Sequence, residues 1–389
     1  MEIAASHCIR TDRAAVTAVV LGVTAFAVAQ GLTYPLITLV LQQRGEADAH
    51  IGLNAFFYAA GFAFATLTID RLMRLLRGDI LIIAGLSGCA LSLLTMSAFD
   101  GFWVWCALRF LLGLCASSVF TVSEAWLNTA CSEDVRGRVS GLYGAGLCGG
   151  FAVGPLAIPL FGTQSGLSFA ITAIYVAAIA FFSALLTRRA TTLPQPSRSK
   201  GLIRFMTNAP LLTGMVFMYG FADIAAISAM PAYLVHMGFS QAFAATAVTM
   251  VALPTAVSQP IVGWLLDRVN RPAIAVAASV LTSASFLTIP FIESGAAFLV
   301  AFAILGAASF ALYTCALTLL GERYAGDRLM TGSAAFSLAY AAGSGSGSTV
   351  VGAVMSEYSL AAGPITIGAA LAIFALAYAV SERRRFRSR

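Results

Sequence analysis

The 389-residue chain reads as an all-α integral membrane protein with twelve transmembrane helices in two pseudo-symmetric six-helix bundles. Three observations lead there. The composition is 59% hydrophobic and 10% charged, with mean hydropathy +0.87, whereas a soluble domain is about 25% charged. Twelve apolar runs follow one another, each near the length that crosses a bilayer as a helix. Landmarks in the first six runs also recur in the second six, at an offset close to half the chain.

The first set of runs spans 14–41, 51–69, 79–99, 102–130, 139–161 and 166–187. Helix is the only form open to an unclosed span, because the backbone must satisfy its own hydrogen bonds in lipid. The run after Arg10 and Arg13 is too long for a signal-peptide core and lacks an A-x-A site. It is expected to be an uncleaved first span. The stretch RRATTLPQPSRSKGLIR, Arg188 to Arg204, carries five basic residues and two prolines and reads as a cytoplasmic linker. The second set spans 209–235, 241–265, 272–292, 295–320, 330–354 and 362–381. The expected organisation is a bundle over 1–187, a linker over 188–207 and a bundle with a basic tail over 208–389.

Charge sets the expected orientation. With the N-terminus inside, the inner segments hold Arg71, Arg74, Arg77, Arg136, Arg138, Arg268, Arg271, Arg323 and Arg328, while the outer loops hold Arg44 alone. That bias follows the positive-inside rule and places both termini in the cytoplasm of a bacterial-style inner membrane. It also accounts for the net charge of +6 without nucleic acid, since no basic helix or aromatic-basic platform occurs.

The halves repeat. Pro35 pairs with Pro231, Asp70-Arg71 with Asp267-Arg268, Gly113 with Gly306, and Gly141 with Gly332. Duplicated six-helix halves meeting around a midplane site are a transporter plan that works by alternating access. The seven cysteines include no C-x-x-C pair and read as reduced, small apolar residues. The three histidines are isolated, so no metal is expected. No phosphate-binding Gly-rich loop is present, which argues against an ATP-driven pump and leaves no cofactor in view.

Asp223 lies in the middle of the apolar stretch Leu211 to Leu234. A lone carboxylate there costs several kcal/mol unless protonated, paired or wetted, so it is a functional candidate. Away from the ends of the runs, only Arg109 and Glu124 are also charged. No basic residue lies within span 7, and Tyr219 sits one turn before Asp223 on the same helix face. Asp223 could carry a proton, contact substrate, stay a neutral hydrogen-bonded acid, or pair with Arg109. Glu124, near the cytoplasmic end of span 4, is expected first to pair with the arginines after span 2, and otherwise to carry protons. Arg109 needs a partner, which could be a carbonyl, a substrate anion or a titrating acid.

The loop after span 8 reads GWLLDRVNR, Gly263 to Arg271. It resembles the first signature of the major facilitator superfamily, G-x-L-x-D-R-x-G-R, with Asn270 at the second glycine. The copy after span 2 keeps Asp70 and Arg71, with Arg74 following and Thr66 where glycine would stand. The resemblance implies that Asp70, Arg71, Arg74, Gly263, Asp267, Arg268 and Arg271 latch the cytoplasmic side, with Gly263 letting helices approach closely. RFLLG, Arg109 to Gly113, looks like the family's second signature, whose arginine is associated with proton coupling. Gly141, Gly150, Gly154 and Pro155 fit the antiporter signature G-x8-G-x3-G-P, with Ile158 and Pro159 in place of the closing glycine pair. That signature is enriched among exporters that exchange solute for protons. SEAWLNTA followed by RGRVSGLY is similar to the YcaD-like bacterial permeases, with Ala125 replacing their serine.

By analogy with the superfamily, spans 1, 4, 7 and 10 line the cavity. The expected substrate contacts are Gln30, Tyr34, Arg109, Tyr219, Asp223 and Tyr313. The proton-coupling set is Asp223, Glu124 and Arg109. Phe217 and Met218 suit a lipophilic or cationic solute, or simply face lipid, and the spans are poor in the amides a sugar would need. The expected partners are a small-molecule substrate, protons and membrane lipids, with the protein a monomer. The expected function is proton-coupled export of a small, partly apolar molecule; the alternative is proton-coupled uptake of a small organic acid. The buried ionisable residues are too scattered for an enzyme, and a channel would usually need repeated subunits around a filter.

Overall fold

In the computed structural model the described residues are 11–163, 166–194 and 201–387, and nearly all of them are helical. The first bundle comprises α1 (Arg13–Gln43), α2 (Asp48–Leu75), α3 (Gly78–Ala98), α4 (Phe102–Ala130), α5 (Glu133–Val153), α6 (Ala157–Phe161) and α7 (Leu167–Thr187). A short helix, α8 (Leu202–Asn208), precedes the second bundle. That bundle comprises α9 (Pro210–Ile224), α10 (Met230–His236), α11 (Gln241–Arg268), α12 (Arg271–Thr288), α13 (Gly295–Arg323), α14 (Gly326–Glu357) and α15 (Ala362–Arg387). α5 with α6 makes the fifth crossing, and α9 with α10 the seventh.

Among the described residues, eleven crossings are long and apolar enough for a bilayer by composition alone. The remaining one is the eleventh in chain order, α14, 32 residues long and rich in glycine and serine. It trades apolarity for small side chains because protein covers it on two sides, with α2 against one face and α9 against another. Without a hydrophobic force between helices in lipid, such close packing is what holds them together.

Sequence chemistry explains the helix ends and breaks. The Asp12 carboxylate accepts the Ala15 N–H at 3.1 Å and caps α1, and the Ser240 hydroxyl does the same for Phe243 at the start of α11. α1 and α10 end in the same motif, with Gly45 at φ 80° and Gly238 at φ 90°. In the first, Gly45 and Glu46 donate to Gln42 and Leu41; in the second, Gly238 and Phe239 donate to Val235 and Leu234. Only glycine takes that left-handed backbone without strain. Pro155 and Pro159 break the fifth crossing, where a 3₁₀ turn, Gly154–Leu156, separates α5 from α6. The seventh crossing carries a wide π turn, Ala225–Ala229, just before Pro231. Pro231 has no N–H to return to the carbonyl one turn back, so the ladder widens there.

The internal repeat is physical at Gly113 and Gly306. A methyl group at Gly113 would overlap the Tyr58 carbonyl of α2, and one at Gly306 the Val251 carbonyl of α11. The fourth and second crossings therefore cross as tightly as the tenth and eighth. Gly141 and Gly332 do not share an environment: no atom lies within 4 Å of a Cβ built at Gly141, while one at Gly332 would meet Leu320 and Phe205.

The stretch expected to be a polar linker begins where α7 ends, at Thr187, and contains a helix near its C-terminal end. Residues 195–200 lie outside the described residues. Leu202–Asn208 is helical, with Phe205 buried against Tyr324 at a ring separation of 5.0 Å and Ile203 exposed. This one-sided burial makes α8 amphipathic, which the run of basic residues had obscured.

Candidate functional site

The two bundles touch along α2 and α14, along α5 and α11, and where α1 meets the π turn and α10. Among the described residues, the hydrogen bonds that cross between bundles all lie toward the end away from the linker. Thr38 meets Ser228 at 3.3 Å, and the Gln42 amide donates to the Ala232 carbonyl and meets His236. Thr163 bonds Gln241, the Ala49 N–H donates to Ser356, and Thr249 donates to the Ala152 carbonyl. The bundles are fastened at the far end, and these residues fasten nothing at the linker end.

Asp223 sits at the end of α9, two residues before the π turn begins. Its carboxylate accepts the Tyr340 hydroxyl at 3.0 Å, and the Tyr219 hydroxyl approaches it as well. Around it the Tyr219 ring lies 5.2 Å from Tyr313, 5.5 Å from Tyr340 and 5.6 Å from Phe310. Two tyrosines, from α9 and α14, thus hold the acid, and Tyr313 of α13 packs against the first of them. Of the residues expected from sequence, Tyr219 contacts the acid and Tyr313 packs on Tyr219. Phe217 and Met218 do neither: Met218 is buried, and Phe217 stacks on Phe221 with its backbone against Gly343.

Arg109 lies in the other bundle and is 1% exposed. Its Nε donates to Asn54 Oδ1 at 3.2 Å, and its guanidinium faces the rings of Tyr34 at 5.1 Å and Tyr58 at 5.6 Å. One guanidinium nitrogen, Nη1, has no hydrogen-bond partner in the protein, and neither does any amide atom of buried Gln30, one turn before Tyr34. The pairing of Arg109 with Asp223 weighed from sequence does not occur. Aromatic faces and an amide take the carboxylate's place, and Tyr340 stands between the two sites with its ring 6.3 Å from Phe62 of α2.

Glu124 departs from its expected pairing. None of the ion pairs among the described residues involves it. The arginines after span 2 are engaged locally, Arg74 with the Asp70 carbonyl and Arg77 with Asp79. Glu124 instead has an exposed side chain whose electrostatic neighbours are Tyr143 of α5 and Tyr313 of α13.

The loop residues named from sequence hold helix ends within one bundle. Arg271 donates to the Leu266 carbonyl at 3.1 Å and pairs with Glu322, tying α11 to α13. Arg268 stacks on Trp264 at 4.4 Å. Arg71 is exposed. Gly263 brings no helix close, since nothing lies within 4 Å of a Cβ built there, which corrects the expected tight approach. The glycine signature of span 5 divides: Gly150 and Gly154 pack onto the α1 backbone at Thr24 and Val28, Pro155 is buried beside them, and Gly141 is open.

Sequence reasoning missed several participants. Asn54 and Tyr58 are spaced four apart inside an apolar run, a polar stripe that could have been read. Tyr340 carried no such signal amid glycines and serines. Asp12 was also missed. Besides capping α1 it accepts from the backbone of Thr191 at 2.6 Å and of Thr192 at 2.9 Å, and from both hydroxyls. Trp126 donates to the Thr192 carbonyl at 3.1 Å, so the start of the linker is strapped to α1 and α4. Burial pushes the Asp12 carboxyl up, but hydrogen bonds from Ala15, Thr192 and Thr191 overcome that and hold it at about 2.

A family model described as Major Facilitator Superfamily matches residues 19–348 and, separately, 212–388. The MFS-type transporter YfkF of Bacillus subtilis is 28% identical over 247 residues, 62% of this chain and 63% of that protein. The match thus spans less than two thirds of that relative's length. The MFS-type transporter YcaD of Escherichia coli is 27% identical over 328 residues, 81% of this chain and 75% of that protein. Among solved structures, a bacterial homologue of the human lysosomal transporter Spinster, inward-facing and occupied, aligns with TM-score 0.79 at 14% identity, covering 95% of this chain and 96% of that one. The nucleoside transporter NupG aligns with TM-score 0.73 at 12% identity, covering 95% and 98%. At these identities the structural likeness concerns the fold.

Proposed function

The chain belongs to the Major Facilitator Superfamily, and from that premise we propose that it exports a small, partly apolar molecule in exchange for protons. It does so by alternating access in a bacterial inner membrane, as a monomer with both termini in the cytoplasm. The observation that carries this reading is Asp223, a carboxylate in the middle of a span that is held by tyrosine hydroxyls and, among the described residues, by no cation. Such an acid is cheapest in its neutral form when dry, and loses its proton when water or a positive charge reaches it.

In the cycle, Asp223 takes a proton while the space between the bundles faces outward. It releases that proton when the linker end opens, and solute loading and proton loading exclude one another. The fastening of the far end by Thr38, Ser228, Gln42 and Gln241 supports an inward-open arrangement in which that release takes place. Arg109 modulates the site from behind Tyr34 and Tyr58. Asp70, Arg71, Arg74, Gly263, Asp267, Arg268 and Arg271 act at the linker end when it closes, and α1 against Gly150, Gly154 and Pro155 forms a stiff pivot.

The test is Asp223→Asn in proteoliposomes. Asparagine keeps an acceptor for Tyr340 but cannot titrate, so pH-driven flux should vanish while the melting temperature holds. Unchanged pH-driven flux would sink the proposal. A second reading, proton-coupled uptake of a small organic acid, is favoured by one observation: Arg109 Nη1 and the Gln30 amide have no partner in the protein, as an anion site would require. The direction of solute flux under an imposed pH gradient separates the two.

A further inference from the structure

Two carboxylates, Glu124 from one bundle and Asp223 from the other, flank a single group of tyrosine rings, and we infer from this that the transported molecule is a lipophilic organic cation that both acids recognise. The inference rests on the export reading above and specifies its substrate class.

The first support is the distribution of charge. Glu124 is exposed and Asp223 partly exposed. Arg109 is 1% exposed, bonded to Asn54 and covered by the rings of Tyr34 and Tyr58. A solute entering between the bundles therefore meets two acids and no accessible guanidinium from this span. The second support is that no protein cation neutralises either acid among the described ion pairs, although arginines are abundant at the linker end.

The third support is the geometry of the rings. Tyr313 neighbours Glu124 electrostatically, and its ring lies 5.2 Å from that of Tyr219 at an interplanar angle of 32°. Tyr219 in turn approaches Asp223, and Tyr340, 5.5 Å away at 33°, donates to it. Ring faces attract cations electrostatically, and most strongly where water is excluded. An anion here would meet two carboxylates. An apolar body bearing a positive charge satisfies both the rings and the acids. Because the acids belong to different bundles, such a solute draws the linker ends of the bundles together, and this is how its binding would drive closure. A monovalent cation takes the place of one proton on the pair, so the charge balances.

The experiment compares tetraphenylphosphonium with tetraphenylborate, which have nearly the same shape and opposite charge, by equilibrium dialysis against the purified protein. The cation should bind at least tenfold tighter than the anion. Glu124→Gln should weaken cation binding about tenfold, equivalent to roughly 1.4 kcal/mol, and Glu124→Asp should restore part of it. Equal or tighter binding of the borate, binding of neither ion, or an unaltered Glu124→Gln affinity overturns the inference. The wild-type comparison needs no variant, so a misfolded mutant cannot obscure it. Proton release on binding is recorded in weak buffer. Cation binding without release would defeat proton coupling and leave the cation site standing. Proton-driven transport of an anionic or neutral solute without cation preference would do the reverse.

Discussion

The two bundles share a fold and differ in the ionisable group each buries. The first seals Arg109 behind Tyr34 and Tyr58 and satisfies it incompletely, with Asn54 as its one side-chain acceptor among the described residues. The second holds a partly exposed Asp223 against tyrosine hydroxyls. Arginine stays charged at any physiological pH, whereas a carboxyl can lose its charge. A duplicated architecture thus carries a fixed charge on one side and a switchable one on the other. The lesson is that pseudo-symmetry of backbone need not extend to chemistry.

The sharpest way to break the comparison is to remove the switch. Asp223→Asn should reduce pH-driven flux more than tenfold, whereas Arg109→Lys should keep pH dependence and shift affinity. If both variants lose pH dependence alike, the division of labour is wrong. Next in size is the cost of losing the fixed charge. Arg109→Ala strands Asn54 and leaves a void beneath two rings, so unfolding in a mild detergent should cost about 2–4 kcal/mol less than for the wild type. Asp223→Ala, at a partly exposed position, should cost less than half as much.

A third pair of variants tests the part of the comparison where the halves should agree. Gly113→Ala and Gly306→Ala each force a methyl into a facing carbonyl, and each should destabilise by about 1–3 kcal/mol. The same change at Gly141 or Gly263, where nothing lies near, should be within about 0.5 kcal/mol of neutral. A large effect at Gly263 would mean that the linker end closes onto it in solution.

The smallest effect concerns the strap at Asp12, which has no partner of the same kind in the second bundle among the described residues. Its folded carboxyl titrates at about 2 against an ordinary 3.8. The charged form is therefore favoured by folding, and the contribution is fully present above pH 3.8 and lost as pH falls through 2. It amounts to about 2 kcal/mol at most. Acid melting curves of wild type and Asp12→Asn should converge below that window, with the wild type more stable above it.

Much of this molecule was legible in its sequence. Twelve runs predicted twelve crossings within a few residues, because in lipid the backbone has one way to satisfy itself and apolar length alone marks it. Asp223, Arg109 and Glu124 stood out because a charge inside such a run is costly and therefore rare. Where helices overran their apolar runs, as α2 does to Leu75 and α11 to Arg268, charged residues simply extended the helix into water. The tertiary structure alone decided who meets whom. It gave Asp223 to Tyr340, more than a hundred positions away, turned Glu124 from the loop arginines toward Tyr143 and Tyr313, and left Arg109 without a carboxylate. It also fastened the far end rather than the linker end. Composition and periodicity govern which segments leave water, since that is set residue by residue. Contacts between helices depend on rotation, tilt and local breaks such as the π turn before Pro231, and these are fixed only when all twelve pack at once.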